Sequence, residues 1–121
     1  MKQERARPPD DITPREFFTR WVPEAVARDA GRRARLGGTR AAIHFELLGP
    51  GGGDFTLALD AGEVRGADGA PDRSDLHVRL DVPSWRALNR GELSAPEAML
   101  RGRVRLKGDL LLAIKLHFIL G

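Results

Sequence analysis

Apolar positions along this chain follow a helical spacing first, then a strict alternation, and at the end almost no spacing at all. Phe17, Phe18, Trp21 and Val22, continued by Ala25, Val26 and Ala30, fall on one side of a helix, the three-to-four-residue recurrence of a half-buried α-helix. Thr13-Pro14-Arg15-Glu16 opens it as a capping box with proline at the first helical position. Pro23 is expected to kink or divide the helix, because it has no N–H and its ring meets the preceding turn. Gly37-Gly38 ends the region.

From about Thr39 the period becomes two. Ala41, Ile43, Phe45 and Leu47 share one face of a strand, with His44 and Glu46 on the other. After the glycine-rich turn at 49–54, Phe55, Leu57 and Leu59 form the apolar side of a second strand. A short third strand is predicted around Glu63–Arg65, followed by a loop over 66–73. Leu76, Val78 and Leu80 line a fourth, with His77 and Arg79 opposite. One apolar and one polar face per strand is the habit of antiparallel sheets. Pro83 begins a short helix carrying Trp85 and Leu88 and ending at Gly91. Ser94-Ala95-Pro96-Glu97 is a second capping box. It opens one or two turns that are expected to point Met99 and Leu100 inward, with Gly102 as the stop. Arg103–Lys107 reads as the fifth strand, and Asp109 is placed to cap a final helix.

That helix, Leu110–Leu120, is oily all the way round. With Leu111 as origin and 100° per residue, Lys115 lies at about 40° and His117 at about 240°, so no polar face exists. Such a helix is buried on every side or touches something apolar. Its eleven residues fall short of the roughly 18 to 20 that a membrane span needs.

Composition narrows the classes. The 121 residues, 41% of them apolar, suit one globular domain, assigned to 13–121 behind a flexible tail at 1–12. With no cysteine, disulfides, thiolate chemistry and cysteine-ligated zinc are excluded. The net charge of +3, the lack of tyrosine and 6% aromatics are thin equipment for nucleic acid, which is not an expected partner. The charged N-terminus has no apolar core of a secretory signal, so a soluble, cytoplasmic protein is expected.

A set of short motifs then resembles one family. Ser74-Asp75-Leu76-His77-Val78-Arg79-Leu80 is followed by Trp85 and Leu88, Gly91-Glu92-Leu93 and Pro96-Glu97-Ala98. Gly102-Arg103-Val104-Arg105-Leu106-Lys107-Gly108-Asp109 completes the series. Together these are similar to the sterol carrier protein type 2 family, over about residues 39–119. The resemblance implies an α+β fold: a five-stranded, mainly antiparallel sheet covered on one face by helices, with an apolar tunnel between them. It implies non-enzymatic binding, and transfer, of one long apolar ligand such as a sterol, fatty acid or fatty acyl chain. The alternatives are an accessory module presenting a hydrophobic intermediate to partner enzymes, or an enzyme acting on such a compound.

On that reading the tunnel wall comes from the apolar side of the sheet (Phe45, Leu57, Leu59, Leu76, Val78 and Leu106). The helices add Trp85, Met99, Leu100, Leu110, Ile114 and Phe118. Each of these also suits ordinary core. Met99 is of interest because a flexible thioether adapts to varied shapes. Arg101, Arg103, Arg105 and Lys107 recur every second residue, which puts all four on one side of a strand. They protect a sheet edge or dock transiently on anionic lipid headgroups. His44, Glu46 and His77 share the polar side of the sheet, but no third strong ligand stands at metal-site spacing. No metal or cofactor, and no catalytic residue, is expected. A monomer or weak dimer is the expected state.

Overall fold

The structure, a computed structural model, describes residues 7–120 apart from the side chain of Phe118. Phe118, assigned above to the tunnel wall, and residues 1–6 of the expected tail therefore lie outside the described residues. Five strands, β1 (Arg40–Leu48), β2 (Gly53–Asp60), β3 (Glu63–Asp68), β4 (Leu76–Asp81) and β5 (Val104–Gly108), form one sheet in the order β3-β2-β1-β4-β5. Helices stack on one face only, so the class is α+β, as the alternation implies. The sheet is mixed. Three of its pairings are antiparallel, whereas β1 and β4 run parallel, with Phe45 opposite Val78. The chain leaves β3 and recrosses the sheet through residues 69–75 before re-entering beside β1 in the same direction. A loop-like composition there gives no sign of direction. β3 also runs three residues past its expected end, because Gly66, Ala67 and Asp68 continue the ladder opposite Leu57, Thr56 and Phe55.

The leading helix holds together across Pro23. α1 (Pro14–Glu16) passes into a π-helical segment, Phe17–Trp21, and then α2 (Val22–Arg28). Val22 N–H reaches back to the Phe17 carbonyl, a wider turn that makes room for the proline ring one residue later. The break comes instead at Asp29, which is extended (φ −115°, ψ 102°). Its carboxylate accepts from Gly31 N–H and Arg32 N–H to start α3 (Ala30–Leu36). Thr13, Ser94 and Asp109 cap α1, α5 (Ala95–Leu100) and α6 (Leu110–Leu120) as the motifs predict. Asp81 caps α4 (Val82–Asn89).

The core lies between the leading helix and β1–β3. Phe18 sits 4.5 Å from Phe45 and 5.2 Å from Phe55, and Phe17 packs edge-on against Phe18 and Trp85. Gly66 permits this closeness, since a Cβ there would stand 1.8 Å from the Phe18 carbonyl oxygen. Ile12, placed in the tail by its sequence, is buried against the same core. Arg86 donates to the carbonyls of Asp10 and Ile12.

Candidate functional site

The helical layer has two unlike halves. From β3 toward β5 it is built first by the leading helix over β3 and β2, then by α4 over β1 and β4, and last by α6 and α5 against β5. Over β1–β3 the inner face is filled. Phe45, Leu57, Leu59, Leu76, Val78 and Trp85 are all buried in the core cluster. Over β5 it is not. Val104 and Leu106 point to the inner face, yet both stay only half-buried.

α6 explains part of this. Leu112, Leu116 and Ile119 press one face of it into the core, while Leu110, Leu111 and Ile114 remain 62%, 74% and 55% exposed. An all-round apolar helix thus buries one side and leaves the other bare. α5 contributes the other margin. Met99 and Leu100, expected inward, are 50% and 90% exposed. The six-residue helix seats itself on Ala98, with Leu93 buried just before it, and one residue of helical rotation then swings Met99 outward. Leu110, Ile114, Met99 and Leu100 are therefore not closed over by protein. They belong to α5 and α6, the two helices that β5 joins in the chain.

α4 stands at the boundary and is fastened to the β5 side by a chain of polar contacts. Asp81 accepts from Ser84 N–H at 2.7 Å, and Arg103 Nε donates to Ser84 Oγ at 2.9 Å, with Ser84 fully buried. The Ser84 hydroxyl and backbone N–H, helped by the Arg103 charge, hold the Asp81 carboxyl below the ordinary aspartate range against the opposing effect of burial. Read from the sequence, Ser84 is simply the residue after the Pro83 helix start, with no sign of this link. Nothing local marks a contact between Ser84 and an arginine nineteen residues away.

The basic run does not form one face. β5 begins at Val104, so Arg101 and Arg103 belong to the turn before it. Arg101 pairs with Glu97 at 3.3 Å and Arg103 turns in to Ser84. Arg105 and Lys107 alone lie on the strand's outer side, in register with Arg79 and His77. β5 is an edge strand, as expected for its charge.

On the helix-free face of the sheet His44 and His77 are brought together. Their rings stack 4.3 Å apart and 3° from parallel. His44 Nε2 bonds Asp54 at 2.7 Å and His77 Nε2 bonds Glu46 at 2.9 Å, while Arg79 meets the other Glu46 oxygen at 3.4 Å. Each ring thus has its own carboxylate. Among the described residues no group of three or more such side chains is placed to hold a metal ion. A cavity of about 210 Å³ opens outside the leading helix, where Asp11, Glu16, Arg20 and Glu24 surround Trp21. Its lining is too charged for a lipid tail. No helix among the described residues is long and apolar enough to cross a membrane.

Comparison with known proteins agrees with this architecture. The pattern of the SCP-2 sterol transfer family matches residues 22–121. Hydroxysteroid dehydrogenase-like protein 2 of Mus musculus is 32% identical over 80 residues, covering 65% of this chain and 16% of the mouse protein. The chain therefore spans about a sixth of that curated relative's length. Among solved structures, palmitated SCP2L2 from Aedes aegypti has a TM-score of 0.66 at 19% identity, covering 87% of this chain and 92% of that one. The inverting sec-alkylsulfatase Pisa1 from Pseudomonas sp. has a TM-score of 0.65 at 24% identity, covering 91% of this chain and 16% of the sulfatase. These two share the fold.

Proposed function

This chain belongs to the SCP-2 sterol transfer family, and we propose that it holds one long apolar molecule between its sheet and its helical layer, on the β5 side. The observation that carries the reading is α6, whose Leu110, Leu111 and Ile114 lie exposed side by side, with polar Lys115 and His117 only at the margins of that side. Half-buried Val104 and Leu106 supply the floor, and Met99, soft and adaptable, borders it. α6 supplies one wall: its Leu112–Leu116–Ile119 face keeps it on the core, and the exposed Leu110, Leu111 and Ile114 flank the opening on the β5 side through which the ligand enters.

Burying a chain of about sixteen carbons offers about 0.8 kcal/mol per methylene, over ten kcal/mol gross. Immobilising the ligand and side chains takes back much of that. Micromolar affinity follows without any strong polar contact, and selectivity by length and width rather than by exact shape. Fatty acids, fatty acyl groups and sterols are the ligand class, which matches the palmitate held by the Aedes aegypti neighbour. The chemistry is sequestration and transfer, with no bond made or broken.

A second reading draws on the relatives' size. That reading is a module that presents a hydrophobic compound to a catalytic partner, and it is favoured by the mouse relative, in which the matched part is 16% of a larger protein. Both readings require the same site. Delipidated protein titrated with cis-parinaric acid should give saturable fluorescence at one molecule per chain, displaced by palmitate. Unsaturable, displacement-resistant fluorescence would contradict both readings.

A further inference from the structure

Two buried hydrogen-bond donors on α4 have no partner. Trp85 is 4% exposed, and its indole Nε1–H meets no acceptor. The side-chain amide nitrogen of Asn89, one helical turn later, is also buried and unpaired. Residues four apart stand on one face of a helix with Cβ atoms about 5–6 Å apart. Two unpaired donors therefore project from the same strip of α4. An indole N–H normally finds a partner when buried, and each orphaned donor carries a desolvation penalty that its neighbours do not offset.

The surroundings show which partner fits. The Trp85 ring lies against Phe17 at 5.4 Å and Phe18 at 6.4 Å, so the strip faces the seam between α4 and the leading helix. The nearby cations are already engaged. Arg86 and Arg90 bond the carbonyls of Asp10 and Ile12 on the flank of α4, and Arg103 bonds Ser84. What the strip lacks is an acceptor, and both of its groups donate. We infer that Trp85 Nε1–H and Asn89 Nδ2–H donate to an oxygen at the polar end of the bound molecule.

This rests on the function proposed above and deepens it. The ligand class becomes long apolar molecules that end in an acceptor oxygen, a carboxylate or acyl carbonyl, in preference to plain hydrocarbons. The polar end is held inside, at α4, and not by the surface arginines. A carboxylate gains most, since bonds to a charged acceptor are the stronger kind.

The test compares cis-parinaric acid with diphenylhexatriene, which has no acceptor oxygen, in delipidated wild-type protein and in Trp85→Phe and Asn89→Leu. Each variant should weaken parinaric acid binding about tenfold while changing diphenylhexatriene binding by less than about twofold. Equal losses for both probes, or none for either, would overturn the inference. If wild-type protein binds neither probe, the lipid-site reading itself falls and takes this with it. A second measurement needs no variant. Addition of palmitate to protein labelled with ¹⁵N at tryptophan should move the Trp85 indole N–H resonance downfield, with Trp21 as internal reference. An ordered water that already fills the seam would leave that resonance unmoved on palmitate addition, and that result too would overturn the proposal.

Discussion

The two halves of the helical layer cover the same sheet, yet only one is closed. Over β1–β3, Phe17, Phe18, Phe45, Phe55 and Trp85 interlock with almost no exposed surface. Over β5, Val104 and Leu106 are half-covered, and Leu110, Leu111, Ile114, Met99 and Leu100 stand open. Exposed apolar side chains are ordinary when scattered. Several together on the two helices that β5 joins fit the surface for an apolar partner proposed above. On the proposed function, stability resides in the aromatic half and the ligand's apolar part in the aliphatic half, with α4 as the partition.

Substitutions should separate the halves. Phe18→Ala removes the ring at the centre of the aromatic half and should cost about 3–5 kcal/mol, read by urea unfolding. Leu112→Ala, on the buried side of α6, should cost about 2–4 kcal/mol, whereas Ile114→Ala on the bare side of the same helix should cost under about 0.5 kcal/mol. Equal costs would erase the distinction between the two faces. Ile114→Glu should leave unfolding within about 1 kcal/mol of wild type but weaken parinaric acid binding at least about tenfold. A variant that binds normally would remove α6 from the site.

The smallest effect belongs to the partition. Asp81→Ala should cost about 1 kcal/mol at neutral pH through loss of the α4 cap. The Ser84 bonds depress the folded-state pKa of Asp81. Its contribution is therefore present above the unfolded-state value and disappears as pH falls through the lower, folded one. The gap between wild type and Asp81→Ala should narrow on acidification below the ordinary aspartate range. A gap that stays constant down to strong acid would show that the carboxylate is not what fastens α4.

Much of this was legible in the sequence. The alternation of Ile43, Phe45 and Leu47 fixes which face of β1 is covered, and the caps at Thr13, Ser94 and Asp109 are local chemistry. What was not legible depends on contacts distant in the chain. The parallel pairing of β1 with β4 depends on how residues 69–75 recross the sheet, which their composition does not encode. The outward turn of Met99 and Leu100 goes with the burial of Ala98, a small residue that hydrophobicity alone passes over. The apolar circumference of α6 was plain from residues 110–120, but which side faces the core follows only from its packing on α3 and β4. The Ser84–Arg103 bond joins residues nineteen apart in the chain, and Asn89 has no partner within its own turn, so neither leaves a local sequence signal.

The division of labour between the halves is tested most directly by mapping amide chemical shifts of ¹⁵N-labelled protein as palmitate is added. The account predicts changes along α6, β5 and α4, with β2 and β3 unmoved. Changes confined to the leading helix and β2–β3, or none at saturating palmitate, would contradict it.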